Sequence, residues 1–203
     1  MSDQPFEEIL SPNRYFDRNF KVEAVKILPG EYYVTTREMV LVTVLGSCVA
    51  ACIRDRTQGI GGMNHFMLPD NNSDAGTPVS MAGRYGTYAM ELMINRLLKA
   101  GARRGNLEAK VFGGGNVLRG FTVANVGERN AHFVLDYLET ERIPVVAQDL
   151  LDIYPRKVYF FATTGRTLVK RLRSVHNDTI VQREQKYIER IRGTEVAGDV
   201  ELF

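Results

Sequence analysis

Residues 39–54 read MVLVTVLGSCVAACIR, and this stretch predicts two buried strands joined by a tight turn. Met39–Leu45 and Val49–Arg54 are apolar and rich in β-branched residues, which is typical of strands buried in a core. Gly46 and Ser47 interrupt the apolar run, and small residues of this kind favour a turn. Cys48 is therefore predicted at the point where the chain leaves the turn and begins a strand.

The rest of the chain is predicted to build an α+β fold around these two strands. Apolar residues recur at helical spacing over Arg84–Ala100 and from about Gly127 to Thr140, which predicts two principal helices. Thr164-Gly165 predicts the turn of a hairpin. Further short strands are predicted at Val22–Leu28, Glu31–Thr35, Gly59–Leu68, Leu107–Phe112, Ile143–Ala147, Lys157–Thr163 and Arg166–Leu172. Because no βαβ unit is repeated, we expect layered mixed or antiparallel sheets.

Changes in composition divide the chain into three parts. Residues 1–20 are polar and contain two prolines, so we predict an N-terminal extension. Residues 21–181 hold the predicted strands and the two principal helices, and they form the main domain. Residues 182–203 are predicted to be a charged C-terminal helix followed by a tail.

Overall composition indicates a soluble globular protein of the cytoplasm. Of the 203 residues, 44% are hydrophobic and 25% are charged, and the formal net charge of +2 is too small to indicate a nucleic-acid partner. Met1–Leu10 has no apolar core of a signal peptide. No stretch approaches the roughly 20 apolar residues that span a membrane, so we expect no membrane insertion.

Cysteine and histidine are scarce, and one pair of them is a candidate for thiol chemistry. The chain has two cysteines and three histidines, and His65 follows Cys48 by seventeen residues. Imidazole is the usual base that removes a thiol proton at neutral pH. From the pattern alone, a cysteine such as Cys48 is more often a small buried hydrophobe than a nucleophile, and a strand histidine such as His65 is more often a core or surface group than a base.

Other readings of these residues are weaker. Cys52 lies in an unbroken strand pattern and is predicted to be a core residue, and a disulfide across so short a loop is not expected. Cys48, Cys52 and His65 together lack the paired spacing of a zinc site, so no metal is predicted. His132, on the second helix, has no carboxylate at a telling spacing.

Two glycine-containing segments bear on the candidate site. Gly46 and Ser47 keep the backbone open before Cys48, so N–H groups of the turn can point at one place and hold an oxyanion. Gly113-Gly114-Gly115-Asn116 lacks the lysine and hydroxyl residue of a phosphate-binding loop. Close backbone packing beside the site is the better interpretation of the second segment.

Five motifs occur in order along the chain: Leu45–Val49, Gly62–Pro69, Arg84–Gly86, Ala109–Asn116 and Gly127–Asn130. Together they resemble the CheD family, the chemoreceptor glutamine deamidases of bacterial chemotaxis. The resemblance runs from about Leu45 to Leu172. It implies a fold like that of the cytotoxic necrotizing factor deamidases, with Cys48 as nucleophile, His65 as its base and no cofactor.

The third catalytic residue of the family is a threonine on the strand before the cysteine, at a spacing of six. Thr43 lies five residues before Cys48, and the position six before it is Val42. Because side chains alternate between the faces of a strand, a bulge or turn must absorb this difference if Thr43 is the third member. A second departure is Asp149–Lys157, where the family pattern has a glycine pair, so we expect a loop of different shape.

The resemblance implies hydrolysis of glutamine side-chain amides on the cytoplasmic helices of methyl-accepting chemotaxis receptors. The Cys48 thiolate would form a thioester, and the Gly46–Cys48 turn would hold the oxyanion. The alternative is a regulatory adaptor with little catalysis that binds chemoreceptors, a CheC-type phosphatase, or both. A transglutaminase or a cysteine protease would share the thioester chemistry.

Overall fold

A computed structural model describes residues 13–69, 81–117, 126–172 and 178–193 of the protein. In chain order the strands are β1 (Arg14–Asp17), β2 (Val22–Lys26), β3 (Tyr32–Thr35), β4 (Val40–Leu45), β5 (Val49–Asp55), β6 (Ile60–Asn64), β7 (Leu107–Gly113), β8 (Val145–Leu150), β9 (Arg156–Phe161) and β10 (Thr167–Arg171). The helices are α1 (Met81–Lys99), α2 (Val126–Thr140) and α3 (Asp178–Gly193), with a short 3-10 turn at Arg104–Asn106.

The strands form two mixed five-stranded sheets. The first has the order β1-β2-β4-β9-β10 and the second the order β3-β6-β5-β7-β8. Each sheet has one parallel pair, β2 with β4 and β7 with β8, and the other neighbours are antiparallel. Helix α2 connects β7 to β8, as a crossover between parallel strands requires. The predicted α+β fold with layered mixed sheets and two principal helices is confirmed.

The two sheets face each other across a buried core, and helices cover one outer face. The core between the sheets contains Leu41 and Phe160 from the first sheet and Ala50 and Met63 from the second. Helices α1 and α2 pack on the other face of the second sheet, where the alternate residues of β5 point. Both faces of β5 are therefore buried, which explains why its sequence is apolar from Val49 to Ile53 rather than alternating.

The turn at residues 46–48 crosses from one sheet to the other. Strand β4 belongs to the first sheet and β5 to the second, so the residues between them lie at the end of the sandwich. Residue 48 lies in the core between the sheets at the start of β5. The turn at residues 46–48 thus connects the two sheets.

Several predicted boundaries agree with the structure, and others shift. Helices predicted at Arg84–Ala100 and Gly127–Thr140 are found as α1 and α2, and the hairpin around Gly165 is confirmed by β9 and β10. The strand predicted over Gly59–Leu68 is shorter, because β6 ends at Asn64. Beyond it, only an isolated bridge joins Phe66 to Val49.

The two terminal parts contribute elements to the described structure. Strand β1 lies within residues 1–20 and pairs with β2 at the edge of the first sheet. Helix α3 includes the whole C-terminal helix predicted from residue 182, and it begins four residues earlier, at Asp178. Residues 1–12 of the predicted extension and residues 194–203 of the predicted tail lie outside the described residues. Among the described helices, none has the length and apolar character to cross a membrane.

Candidate active site

Cys48 and His65 lie on two adjacent, paired chain segments, and both are buried. Cys48 is fully buried and His65 is only 2% exposed. The isolated antiparallel bridge joins Val49 to Phe66 through N–H to carbonyl bonds of 2.9 and 3.0 Å. This bridge sets Ala50 opposite His65, and Cys48 is two residues from Ala50 on the same face of the strand. The candidate pair is therefore diagonal across two adjacent chain segments.

The glycine-rich segment after β7 packs directly against the cysteine turn. Gly114 N–H donates to the Cys48 carbonyl at 2.8 Å, and Gly115 N–H donates to the Gly46 carbonyl at 2.8 Å. Gly113 has a φ of +109°, and a Cβ there would lie 2.1 Å from the Cys48 carbonyl oxygen. The predicted close backbone packing beside the site is confirmed, and these two N–H groups are already used within the protein.

Thr43 is the hydrogen-bond partner of the His65 imidazole. Its Oγ1 lies 2.8 Å from His65 Nδ1 and donates to the Ile27 carbonyl at 2.8 Å. A hydroxyl has one proton, so the donation to Ile27 leaves Oγ1 as an acceptor toward the ring. His65 Nδ1 then carries a proton, and Nε2 is left with its lone pair.

Strand direction explains why Thr43 rather than Val42 reaches the histidine. Val42 packs on the outer face of the first sheet with Val40 and Phe161. Thr43, the next residue, points to the opposite face, toward the second sheet and His65. In this chain, the position that faces His65 is therefore the one five residues before the cysteine.

His65 Nε2 is the one buried side-chain polar atom without a hydrogen-bond partner in the described part of the chain. The pKa of His65 is lowered to about 3, mainly because the ring is buried. A hydrogen bond with the Ile27 carbonyl raises this pKa by a smaller amount, and the charge of Arg183 lowers it. The imidazole is therefore neutral at pH 7. Its unpaired nitrogen can accept a proton, and in this structure it makes no hydrogen bond to Cys48.

Helix α3 brings a carboxylate to the cysteine turn. Glu184 is 3% exposed, and its Oε1 accepts hydrogen bonds from the N–H groups of Gly46 (3.1 Å) and Cys48 (3.3 Å). Its Oε2 accepts from the Ser47 hydroxyl at 2.7 Å. The turn does point two N–H groups at one oxygen, and in this structure that oxygen belongs to Glu184.

The Cys48 thiol is held in its neutral form. Burial raises its pKa well above the ordinary value, and the charge of Glu184 and a hydrogen bond to that carboxylate raise it further. A neutral thiol and a neutral imidazole do not form the ion pair that activates a cysteine. Cys52, predicted to be a core residue, is 1% exposed within the inter-sheet core, which confirms that prediction.

Two residues that support the turn were missed from the sequence. Asn130 is fully buried on α2, where Nδ2 donates to the Ser47 carbonyl and Oδ1 accepts from Leu68 N–H, both at 2.9 Å. Glu184 is the second. In both cases the available signal is a polar residue at an inward position of a helix, since Asn130 precedes Val134 by four and Glu184 precedes Ile188 by four.

The loop between β8 and β9 has an unusual backbone and a buried arginine. Leu151 and Asp152 have φ values of +63° and +71°, in the left-handed region that favours glycine. Arg156 is fully buried, and it donates to Asp149 Oδ1 at 2.9 Å and to the carbonyls of Leu151 and Tyr154. Two non-glycine residues therefore take a backbone conformation that favours glycine.

A cleft of about 290 Å³ opens beside the turn. It is lined by Ser47, the glycine-rich segment and residues 151–152, and Cys48 and His65 are not part of its lining.

No group of three histidine, cysteine or acidic side chains suited to a metal ion occurs within residues 13–69, 81–117, 126–172 and 178–193.

Comparison with known proteins identifies close relatives over nearly the whole chain. Residues 67–171 match the family described as CheD chemotactic sensory transduction. A protein of Thiobacillus denitrificans is 67% identical over 97% of this chain and 98% of its own length. Proteins of Methylobacillus flagellatus and Herminiimonas arsenicoxydans are 64% and 62% identical, over 98% and 97% of both chains. Each of the three carries the name "Probable chemoreceptor glutamine deamidase CheD".

Proposed function

The chain belongs to the CheD family, and on this premise we propose that it is a chemoreceptor glutamine deamidase with Cys48 as its nucleophile. The reaction hydrolyses a glutamine side-chain amide of a receptor to glutamate and ammonia. Cys48, His65 and Thr43 are the proposed catalytic set. The match to the family covers residues 67–171, so the roles of these three residues rest on their geometry.

One observation carries the proposal: the hydrogen-bonded series from His65 Nδ1 through Thr43 Oγ1 to the Ile27 carbonyl. It holds the ring in the tautomer with a lone pair on Nε2, which supports a role for this nitrogen as the base. A base fixed in this way can take the thiol proton, as the imidazole of a catalytic triad takes a hydroxyl proton. Thr43 acts as the positioning residue for His65.

The turn supplies the electrostatic part of the mechanism. The Cys48 thiolate attacks the amide carbon, and the carbonyl oxygen becomes an oxyanion that the N–H groups of Gly46 and Cys48 can hold. His65 gives its new proton to the leaving ammonia. Water, deprotonated by the same imidazole, then hydrolyses the thioester and releases glutamate and the free thiol.

Deamidation is tested by incubating the protein with glutamine-bearing receptor cytoplasmic fragments and measuring the mass of receptor peptides. We expect a gain of about one mass unit at specific glutamines with the wild type and none with Cys48→Ala, because an alanine cannot form the thioester. Cys52→Ala is the matched control, since it removes the other buried thiol and is expected to keep the activity.

Other results of the same experiment identify the alternatives. An amine adduct on the receptor indicates transglutaminase chemistry, and chain cleavage indicates a protease. Receptor binding with unchanged peptide masses indicates an adaptor. Unchanged deamidation by Cys48→Ala contradicts the proposed nucleophile.

The proposed partners are the cytoplasmic helices of methyl-accepting chemotaxis receptors, and the proposed location is therefore the cytoplasm. The resemblance found in the sequence adds a CheC-type phosphatase as a second proposed partner. Size-exclusion chromatography of the protein mixed with such a phosphatase tests this: a shared peak supports it, and separate peaks contradict it.

A further inference from the structure

Helix α3 covers the proposed active site with one face. Tyr187 is buried in the core between the sheets, and Ile188 and Ile191 pack against that core. Glu184 shares this face, because the four positions follow the spacing i, i+3, i+4 and i+7. A carboxylate therefore occupies the inward face of an otherwise apolar contact. Burying a charge there is costly unless hydrogen bonds compensate it.

The Glu184 side chain is bound in the way that the proposed reaction requires of its product. Deamidation of glutamine yields glutamate, and the two side chains have the same length and shape. One oxygen of Glu184 accepts hydrogen bonds from the N–H groups of Gly46 and Cys48, which are the donors proposed to hold the oxyanion. Gly46 must lack a side chain for this, since a Cβ there would lie 2.6 Å from Glu184 Oε1.

Further contacts hold α3 in this position. The Tyr187 hydroxyl is hydrogen-bonded to the hydroxyl of Tyr85, which lies in the Arg84–Gly86 motif of α1. The Tyr187 ring also lies on Gly30, where a Cβ would be 3.0 Å from it. With α3 in place Cys48 is fully buried, so a receptor side chain has no access to the sulfur.

We propose that α3 is a built-in product mimic that closes the active site, and that a receptor helix bearing glutamine must displace it. The inference rests on the proposed function for the identity of the mimicked group. Closure itself depends only on the observed contacts. The structure is then the autoinhibited form of the protein, and the groove under α3 is where the substrate helix binds.

Closure is tested in the full chain by the alkylation rate of Cys48 with iodoacetamide, followed by peptide mass spectrometry. Glu184→Ala leaves the Gly46 and Cys48 N–H groups without an acceptor in the closed form, so it favours opening. We expect alkylation to accelerate about tenfold or more. Tyr187→Phe, which removes the bond to Tyr85 and keeps the ring, is expected to accelerate it less.

Glu189→Ala is the matched control on the same helix, because Glu189 is exposed. It is expected to alkylate at the wild-type rate. Thermal melts of all variants show that each is folded at the assay temperature. Equal alkylation rates in wild type, Glu184→Ala and Tyr187→Phe overturn the proposed closure.

Product mimicry is tested with Glu184→Gln, which converts the mimic into a substrate. The Cys48 thiolate would attack the side-chain amide carbon of the introduced glutamine with loss of ammonia, and water would hydrolyse the thioester to restore a glutamate at that position. We expect the purified variant to gain about one mass unit in that peptide. The double variant Glu184→Gln, Cys48→Ala is expected to keep its glutamine.

The two proposals can fail separately. An introduced glutamine that stays intact, in a Glu184→Gln variant that deamidates receptor, overturns the product mimicry but leaves the proposed function. If Glu184→Ala alkylates faster while neither the receptor nor the glutamine of Glu184→Gln is deamidated, the proposed function is overturned and closure alone is supported.

Discussion

At the scale of single residues, Thr43 contacts His65 although its spacing from Cys48 differs by one residue from the spacing that the resemblance implies. Its spacing from Cys48 is five, and the resemblance predicts six. The side chain nevertheless lies 2.8 Å from His65 Nδ1, because strand alternation sends Val42 to the outer face of the sheet and Thr43 to the inner face. Parity on the strand, rather than the count from the cysteine, decides which residue meets the imidazole.

Thr43→Val is expected to lower kcat, because it leaves the Ile27 carbonyl and the His65 N–H without their shared partner. The loss of such a buried bond costs about 1–3 kcal/mol, which corresponds to a decrease in rate of roughly 5-fold to 150-fold. Thr43→Ser keeps the hydroxyl and should restore most of kcat. Receptor deamidation rates across a range of pH check this, and a Thr43→Val variant with the wild-type rate and pH profile would refute the positioning role.

At the scale of elements, the cysteine turn is held by three separate segments. The glycine-rich segment after β7 donates to its carbonyls, Asn130 of α2 donates to Ser47, and Glu184 of α3 accepts from its N–H groups. The polar groups of a turn at the end of a sandwich need such partners when water is excluded. The turn is therefore tied to three segments that lie far from it in the sequence.

Gly113→Ala is expected to destabilise the protein by about 3 kcal/mol or more, since it adds left-handed strain to a backbone collision. The new Cβ would lie 2.1 Å from the Cys48 carbonyl oxygen. Gly105→Ala is the control, because nothing lies within 4 Å of a Cβ there, and its change should stay within about 0.5 kcal/mol. Urea unfolding measures both, and equal midpoints for the two variants would contradict this account of the packing.

At the scale of the whole molecule, two sheets and a helix enclose an ionisable pair. His65 and Cys48 are buried by both sheets and by α3, and burial moves the pKa of the imidazole down and that of the thiol up. The same enclosure that keeps the proposed site inactive also makes the stability of the fold depend on pH.

Stability is expected to fall as the pH drops below 6.5. The unfolded His65 binds a proton near pH 6.5, whereas the folded one does so only near a pKa of about 3. As the pH falls, the unfolded state therefore takes up its proton first. The contribution of His65 to the free energy of unfolding is complete at pH 7 and is lost toward pH 3. At pH 4.5 the loss from this group is about 3 kcal/mol.

Urea unfolding at pH 7 and pH 4.5 measures the effect. His65→Gln should show a smaller decrease in stability between the two pH values than the wild type. His132→Gln, which changes an exposed histidine, should behave like the wild type. Parallel decreases in all three proteins would show that another group is responsible.

The sequence by itself determined most elements of this protein and the central pair of its proposed site. Runs of β-branched residues, helical spacing and glycine turns depend on neighbours along the chain. They located the described strands other than β1, both principal helices and the Cys48 turn, whereas β1 lies in the predicted N-terminal extension. The motifs around Cys48 and His65 likewise lie within short segments, so their resemblance to a family was visible without a fold.

Only the tertiary structure decided what surrounds that pair. Glu184 lies 136 residues from Cys48 along the chain, and Asn130 lies 83 from Ser47, so no local pattern links them. The face on which Thr43 points depends on how β4 is packed between the two sheets. These contacts form because the folded chain excludes water from the turn, and each buried polar group must then find a partner from whichever segment lies beside it.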